Sequence, residues 1–172
     1  MISNLITNRT QADVAYLRAQ RDKILNEGWA ALSEDEQMEY LAGLKGGYNA
    51  TDLNRVTHAM EYLVERIRSF GYAVNYEKVK VPHTETGLDD YTWYHSDIPQ
   101  TNELNAYLQN VGWLREAMVL LPNTPEVPCD MEGFTFAEAN DIEMILVNIE
   151  TIINLMVASF IYSGETFSGE VI

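Results

Sequence analysis

The chain has 172 residues, with 26 acidic against 11 basic side chains and a formal charge of −15. A chain of that length suits one domain that buries about 70% of its unfolded surface, so its core needs no disulfide or metal. The acidity repels a phosphate backbone and anionic membranes, which sets nucleic acid aside as a partner. The single cysteine, Cys129, cannot form an internal disulfide, and no signal-like stretch precedes Thr10, so folding in a reducing cytoplasm is expected.

Residues 1–9 lack helical periodicity and are expected to form an N-terminal arm. Thr10, with Asp13 three residues on, caps a helix that runs to Glu27 with Val14, Leu17, Ile24 and Leu25 on its inner side, and Gly28 stops it. Ser33 and Glu36 have capping-box spacing and open a short helix presenting Met38, Tyr40 and Leu41 before Gly43. These two helices make an N-terminal hairpin or flap. Lys45-Gly46-Gly47-Tyr48-Asn49 is a turn, because paired glycines admit backbone angles closed to other residues. The next helix begins between Asn49 and Thr51, carries Leu53, Val56, Met60, Leu63, Val64 and Ile67 on one face, and stops near Gly71.

Partial alternation over 72–81, with Val74, Tyr76, Val79 and Val81, predicts a short β arm ended by Pro82. Residues 83–96 form a polar, aromatic loop anchored by Tyr91, Trp93 and Tyr94. Asp97-Ile98-Pro99 introduces a helix to about Leu120, striped by Leu104, Tyr107, Leu108, Val111, Leu114 and Met118. Pro122, Pro125 and Pro128 keep the following linker extended.

A long helix over 135–161 closes the series. Thr135 and Glu138 form its capping box, and Ile142, Ile145, Leu146, Ile149, Ile152, Ile153, Met156 and Phe160 follow three-and-four spacing. Apolar residues extend beyond that stripe to Met144, Val147, Leu155 and Ile161, so the helix is either central or shared with another chain. Asn148, Glu150 and Asn154 interrupt it, which argues against membrane insertion. The expected fold is mostly α, an irregular bundle of three long and two shorter helices. An arm at 1–9, a helical domain at 10–162 and a tail at 163–172 make up the chain.

No catalytic, cofactor or metal-binding pattern stands out. His83 and His95 flank an acidic loop with Glu85, Asp89, Asp90 and Asp97, where a hard cation is conceivable but a solvated loop is the simpler reading. Cys129 lacks a nucleophile motif, and Lys45-Gly46-Gly47 lacks Walker spacing. Glu138, Asp141 and Glu143 are explained by capping and the helix dipole. Asn54 and Arg55 occupy the first turns of one long helix, as Asn140, Asp141 and Glu143 do in another. A polar latch is therefore expected, with Arg55 reaching Asp141 or Glu143 and both asparagines bonding backbone in the opposite turn. In the tail, Ser163-Gly164-Glu165 and Ser168-Gly169-Glu170 repeat around Phe167, with Val171 and Ile172 beyond. Such a tail either folds back over its bundle or docks onto a neighbouring subunit.

Several blocks in order carry a resemblance: Asn8-Arg9-Thr10-Gln11-Ala12-Asp13-Val14; Leu44-Lys45-Gly46-Gly47-Tyr48-Asn49-Ala50-Thr51-Asp52-Leu53-Asn54-Arg55-Val56; Asp97-Ile98-Pro99 with Tyr107-Leu108-Gln109-Asn110-Val111; Ala139-Asn140-Asp141-Ile142-Glu143; and Tyr162-Ser163-Gly164-Glu165. Together they resemble a family of small structural proteins encoded in phages and prophages of Gram-positive, largely gut-associated bacteria. The resemblance spans nearly the whole chain, and its most specific part is Tyr48 to Val56. It implies a non-enzymatic virion protein of the tail, baseplate or adhesion apparatus, assembled in the host cytoplasm beside other virion proteins. The segment over 73–94 is longer than the family's pattern, which marks it as a surface specialised to this protein.

On that reading the chain is a homo-oligomer whose interface draws on Ile152, Met156, Phe160, Ile161, Tyr162, Phe167, Val171 and Ile172, since symmetric association removes apolar patches from water. One alternative is a binding module that presents Tyr91, Trp93 and Tyr94, within 73–97, to a host-surface carbohydrate or protein. Another is a hydrolase using carboxylates around the acidic loop.

Overall fold

The computed structural model describes residues 2–83 and 89–165, with the side chains of Asp89 and of 161–165 outside the description. Five α-helices dominate: α1 Gln11–Glu27, α2 Glu34–Ala42, α3 Ala50–Ser69, α4 Thr101–Glu116 and α5 Phe136–Glu165. Short 3₁₀ turns at Ile2–Asn4 and Trp29–Ala31 precede α1 and α2. The chain is thus mostly α, a helical bundle, as its periodicity implies.

Helix starts are set by reciprocal caps. Thr10 with Asp13, Ser33 with Glu36, and Asn49 with Asp52 each close a capping box. Before α5, the Thr135 N–H donates to Glu138 Oε2 at 2.8 Å and the Glu138 N–H donates back to Thr135 Oγ1. Glu36 is additionally tied to Gln20 and Lys23 of α1. The Ser33 N–H first, then those two side chains, hold its carboxyl down at about 2.

The core lies where α3, α4 and α5 pack on one another. Val56, Met60, Leu63 and Ile67 of α3 meet Tyr107, Val111 and Leu114 of α4 and Ile142, Ile145, Leu146, Ile149 and Ile153 of α5. Ile2 and Leu5 pack against this core, so the N-terminal arm is part of the folded unit.

Four expectations need correction. Leu25, Met38 and Leu41 face solvent, being 69%, 63% and 63% exposed, because neither α1 nor α2 packs extensively on the three long helices. Segment 72–80 forms no strand; the only pairing among the described residues joins β1 Val81–Pro82 to β2 Asp89–Asp90, antiparallel, with Pro82 inside the ladder. Its backbone is held by a side chain instead, as Asn110 of α4 accepts from the Glu77 N–H at 2.9 Å and donates to the Glu77 carbonyl at 2.7 Å. The fourth helix ends at Glu116, where Arg115 turns outward to the Pro125 carbonyl and to Glu126. Lastly, Ile152 is buried by its own chain and is no free interface residue.

The stretch Phe136–Phe160 is long and apolar enough to cross a membrane by length and composition. Its first half is bundle core. After Ile153 full burial ceases: Leu155 is 59% exposed, and Met156 and Val157 are half-buried. Thirty residues extend about 45 Å against about 30 Å for the 20 residues of α3, so the last turns of α5 outrun the bundle. The boundary is clipped by Arg66, at the end of α3, which reaches Glu150 at 2.5 Å and Asn154 at 3.1 Å.

Candidate functional site

The cap that starts α1 places Arg9 just before it, at the junction of the N-terminal arm, α3 and α5. Arg9 Nη2 donates to Asp52 Oδ1 at 2.9 Å and to Glu143 Oε1 at 2.6 Å, while Nη1 donates to the Ile6 carbonyl at 2.6 Å. Arg55 converges on the same oxygens, with Nη2 at 2.5 Å from Asp52 Oδ1 and 2.8 Å from Glu143 Oε1. The second oxygen of Glu143 accepts from the Ile6 N–H at 2.5 Å, and that of Asp52 accepts from the Asn49 N–H at 2.9 Å. The Arg9 guanidinium also sits 5.5 Å from the Tyr48 ring centroid.

Two guanidinium groups and two carboxylates thus balance in a largely buried site, with Arg55 the most exposed of the four at 16%. The side chains of Arg9 and Glu143 are 1% and 0% exposed. Burial acts against the charge on Arg55, but the Glu143 and Asp52 carboxylates outweigh it and push its pKa further up. Beneath the cluster the hydroxyls of Tyr48 and Tyr107 bond to each other, and burial raises the pKa of both. Among the buried side-chain polar atoms of the cluster, Arg9 Nε is the one without a hydrogen-bond partner. The network ties three segments together: the N-terminal arm, α3 and α5.

Asparagines extend the same locking. Asn140 of α5 accepts from the Arg9 N–H at 2.9 Å and donates to the Arg9 carbonyl at 3.0 Å. On α3, Asn54 makes the equivalent pair with Trp93, both at 2.8 Å. With the Asn110 pair on Glu77, each long helix uses one amide to clasp a single residue of an extended segment, in place of a strand partner.

Of the five residues read as a latch, Arg55 and Glu143 come together directly. Asn140 joins them through the backbone of Arg9. Asn54 holds the backbone of Trp93 and not the opposite helix turn. Asp141 stands apart, with no side-chain hydrogen bond or ion pair among the described residues; burial first, then the neighbouring Glu138 charge, raises its pKa. Arg9 and Asp52 are the members that sequence reasoning missed. Asp52 had a signal, being three residues before Arg55 on one helix face. Arg9 had none, because its partners lie 43 and 134 residues away.

No protein-family model, curated protein or solved structure matches this chain. The site is therefore read from its own geometry.

The aromatic trio is divided. Trp93 is buried, whereas Tyr91 and Tyr94 are each 48% exposed. Tyr94 leans on the buried His83 ring, 4.6 Å between centroids. His83 stands between two carboxylates, with Asp90 2.9 Å from Nε2 and Asp97 2.9 Å from Nδ1. Asp90 first, then Asp97, raises its pKa, so proton uptake by the ring strengthens its contacts with both carboxylates. Among the described residues no group of three or more His, Cys, Asp or Glu side chains has metal-binding geometry. Of the expected interface, Met156 is half-buried and Phe160 is 61% exposed. The side chains of Ile161 and Tyr162, and all of Phe167, Val171 and Ile172, lie outside the described residues.

Proposed function

We propose that this chain is a non-enzymatic structural or assembly subunit of a phage virion, in its tail, baseplate or adhesion apparatus. It assembles in the host cytoplasm in several copies and docks onto other virion proteins without a cofactor, nucleic acid or membrane insertion. The observation that carries this reading is the distal part of α5. Leu155, Met156 and Val157 lie beyond the bundle on a helix whose first half is core, and a soluble subunit covers such a surface by association. The buried ion-pair cluster fits the same role, since it ties the arm and two helices together and leaves no free charged group there for chemistry.

Sedimentation of the purified chain across a wide concentration range tests the proposal. Wild type is expected to associate, and Leu155→Glu to shift the distribution to monomer with the far-UV spectrum unchanged. A wild-type chain that stays monomeric at high concentration overturns the multi-copy reading.

A second reading, a host-surface binding module, is favoured by one observation. Tyr91 forms a wall of an open groove of about 700 Å³ beside Lys78, Lys80 and Asn102. A glycan array on which Tyr91→Ala abolishes a signal given by wild type would favour this reading.

A further inference from the structure

A cleft of about 420 Å³ opens between α1 and the bundle, with Leu17, Leu53, Leu104 and Phe134 among its apolar lining and Arg18 and Arg21 on the α1 side. Seven of the 11 basic residues make ion pairs. The other four, Arg18, Arg21, Arg68 and Lys80, make no ion pair among the described residues, although the chain offers 26 acids, and the first two both line this cleft. Both are exposed. An apolar cleft rimmed by two uncompensated cations is complementary to a segment that combines carboxylates with large apolar side chains.

We infer that the occupant is the 163–172 segment of a second copy of this chain. That stretch carries Glu165 and Glu170 as its charges and Phe167, Val171 and Ile172 as its apolar side chains, with no cation. The same molecule cannot supply it. Phe134 of the cleft lies two residues before α5, and the helix carries Glu165 about 43 Å from that end. Residues 166–172 reach at most about 25 Å beyond Glu165. The contact is therefore head to tail between different surfaces, the type that builds rings or open filaments. This inference rests on the reading of the chain as a repeated subunit, and it supplies the receiving surface for that assembly.

The test uses a fluorescent peptide with the sequence of residues 163–172, titrated with the full chain by anisotropy. Saturable binding is expected, weakened about tenfold or more by Arg18→Glu with Arg21→Glu, and weakened by salt. Both arginines are exposed and unpaired, so the double variant is expected to melt like wild type. Charge reversal gives the decisive arm: a peptide with Glu165→Lys and Glu170→Lys recovers binding to the double variant and loses it to wild type. No saturable binding, or equal binding to both proteins, overturns the inference. If the chain still sediments as an oligomer in that case, the assembly reading survives by another contact; a monomeric chain that binds the peptide sinks the assembly reading and keeps the cleft.

Discussion

Replacing Arg9 by methionine removes the guanidinium while keeping an unbranched apolar stem. Three bonds go with it, to the Ile6 carbonyl, Asp52 and Glu143, and two carboxylates then share Arg55. Taking one partner from a buried pair costs about 3–5 kcal/mol, because the charge left behind stays out of water. Against a typical total of about 5–15 kcal/mol that is a large fraction, and for a chain of this length it lowers the melting temperature by about 10 °C. Urea unfolding at constant slope is the assay. Combining Arg9→Met with Glu143→Leu removes one charge of each sign and leaves Asp52 with Arg55, so the double variant is expected to be more stable than the sum of the singles by about 1–3 kcal/mol. A loss below about 1 kcal/mol, or strict additivity, would refute the claim that the cluster is desolvated and coupled.

Three further outcomes follow from other contacts. His83 has a raised folded pKa, so its stabilisation is complete below the unfolded value of about 6.5 and fades as pH rises through the higher folded value; unfolding across pH 6 to 9 should show that loss in wild type and not in His83→Gln. Asn54→Leu strands the Trp93 N–H and carbonyl, which is expected to destabilise by about 1–3 kcal/mol and to red-shift indole emission, and an unshifted spectrum would argue against the clasp. Gly46→Ala would put a Cβ 2.1 Å from the Asp13 carbonyl oxygen, so the start of α1 must move off the turn; faster amide exchange confined to α1 and α2 is the signature to seek.

Much of this fold was legible because its signals are local. Thr10–Asp13, Ser33–Glu36 and Thr135–Glu138 sit three residues apart, and the stripes of α3, α4 and α5 repeat within one or two turns. Arg55 and Glu143 could be paired because each occupies the first turns of a strongly periodic helix. The remainder depends on distance in the chain. Arg9 belongs to a stretch without periodicity, and Asn110 looked like an ordinary polar residue beside the Val111 stripe until the fold brought Glu77 against it. Segment 72–80 alternates as a strand does, yet its backbone bonds go to an amide on α4, which no pattern within the segment records. Leu25, Met38 and Leu41 follow helical spacing but stay exposed among the described residues, since periodicity states which face is apolar and not what will cover it.

The asparagine clasps set how this protein can change. Each amide grips an N–H and a C=O, atoms that almost any residue supplies, so the hold at Glu77 and at Trp93 does not depend on those side chains. Between the two anchors Val81 and His83 are themselves buried, so change is confined to the exposed positions there while the three long helices keep their sequence and their packing. New side chains placed at those exposed positions would inherit a scaffold already fastened at residues 77 and 93.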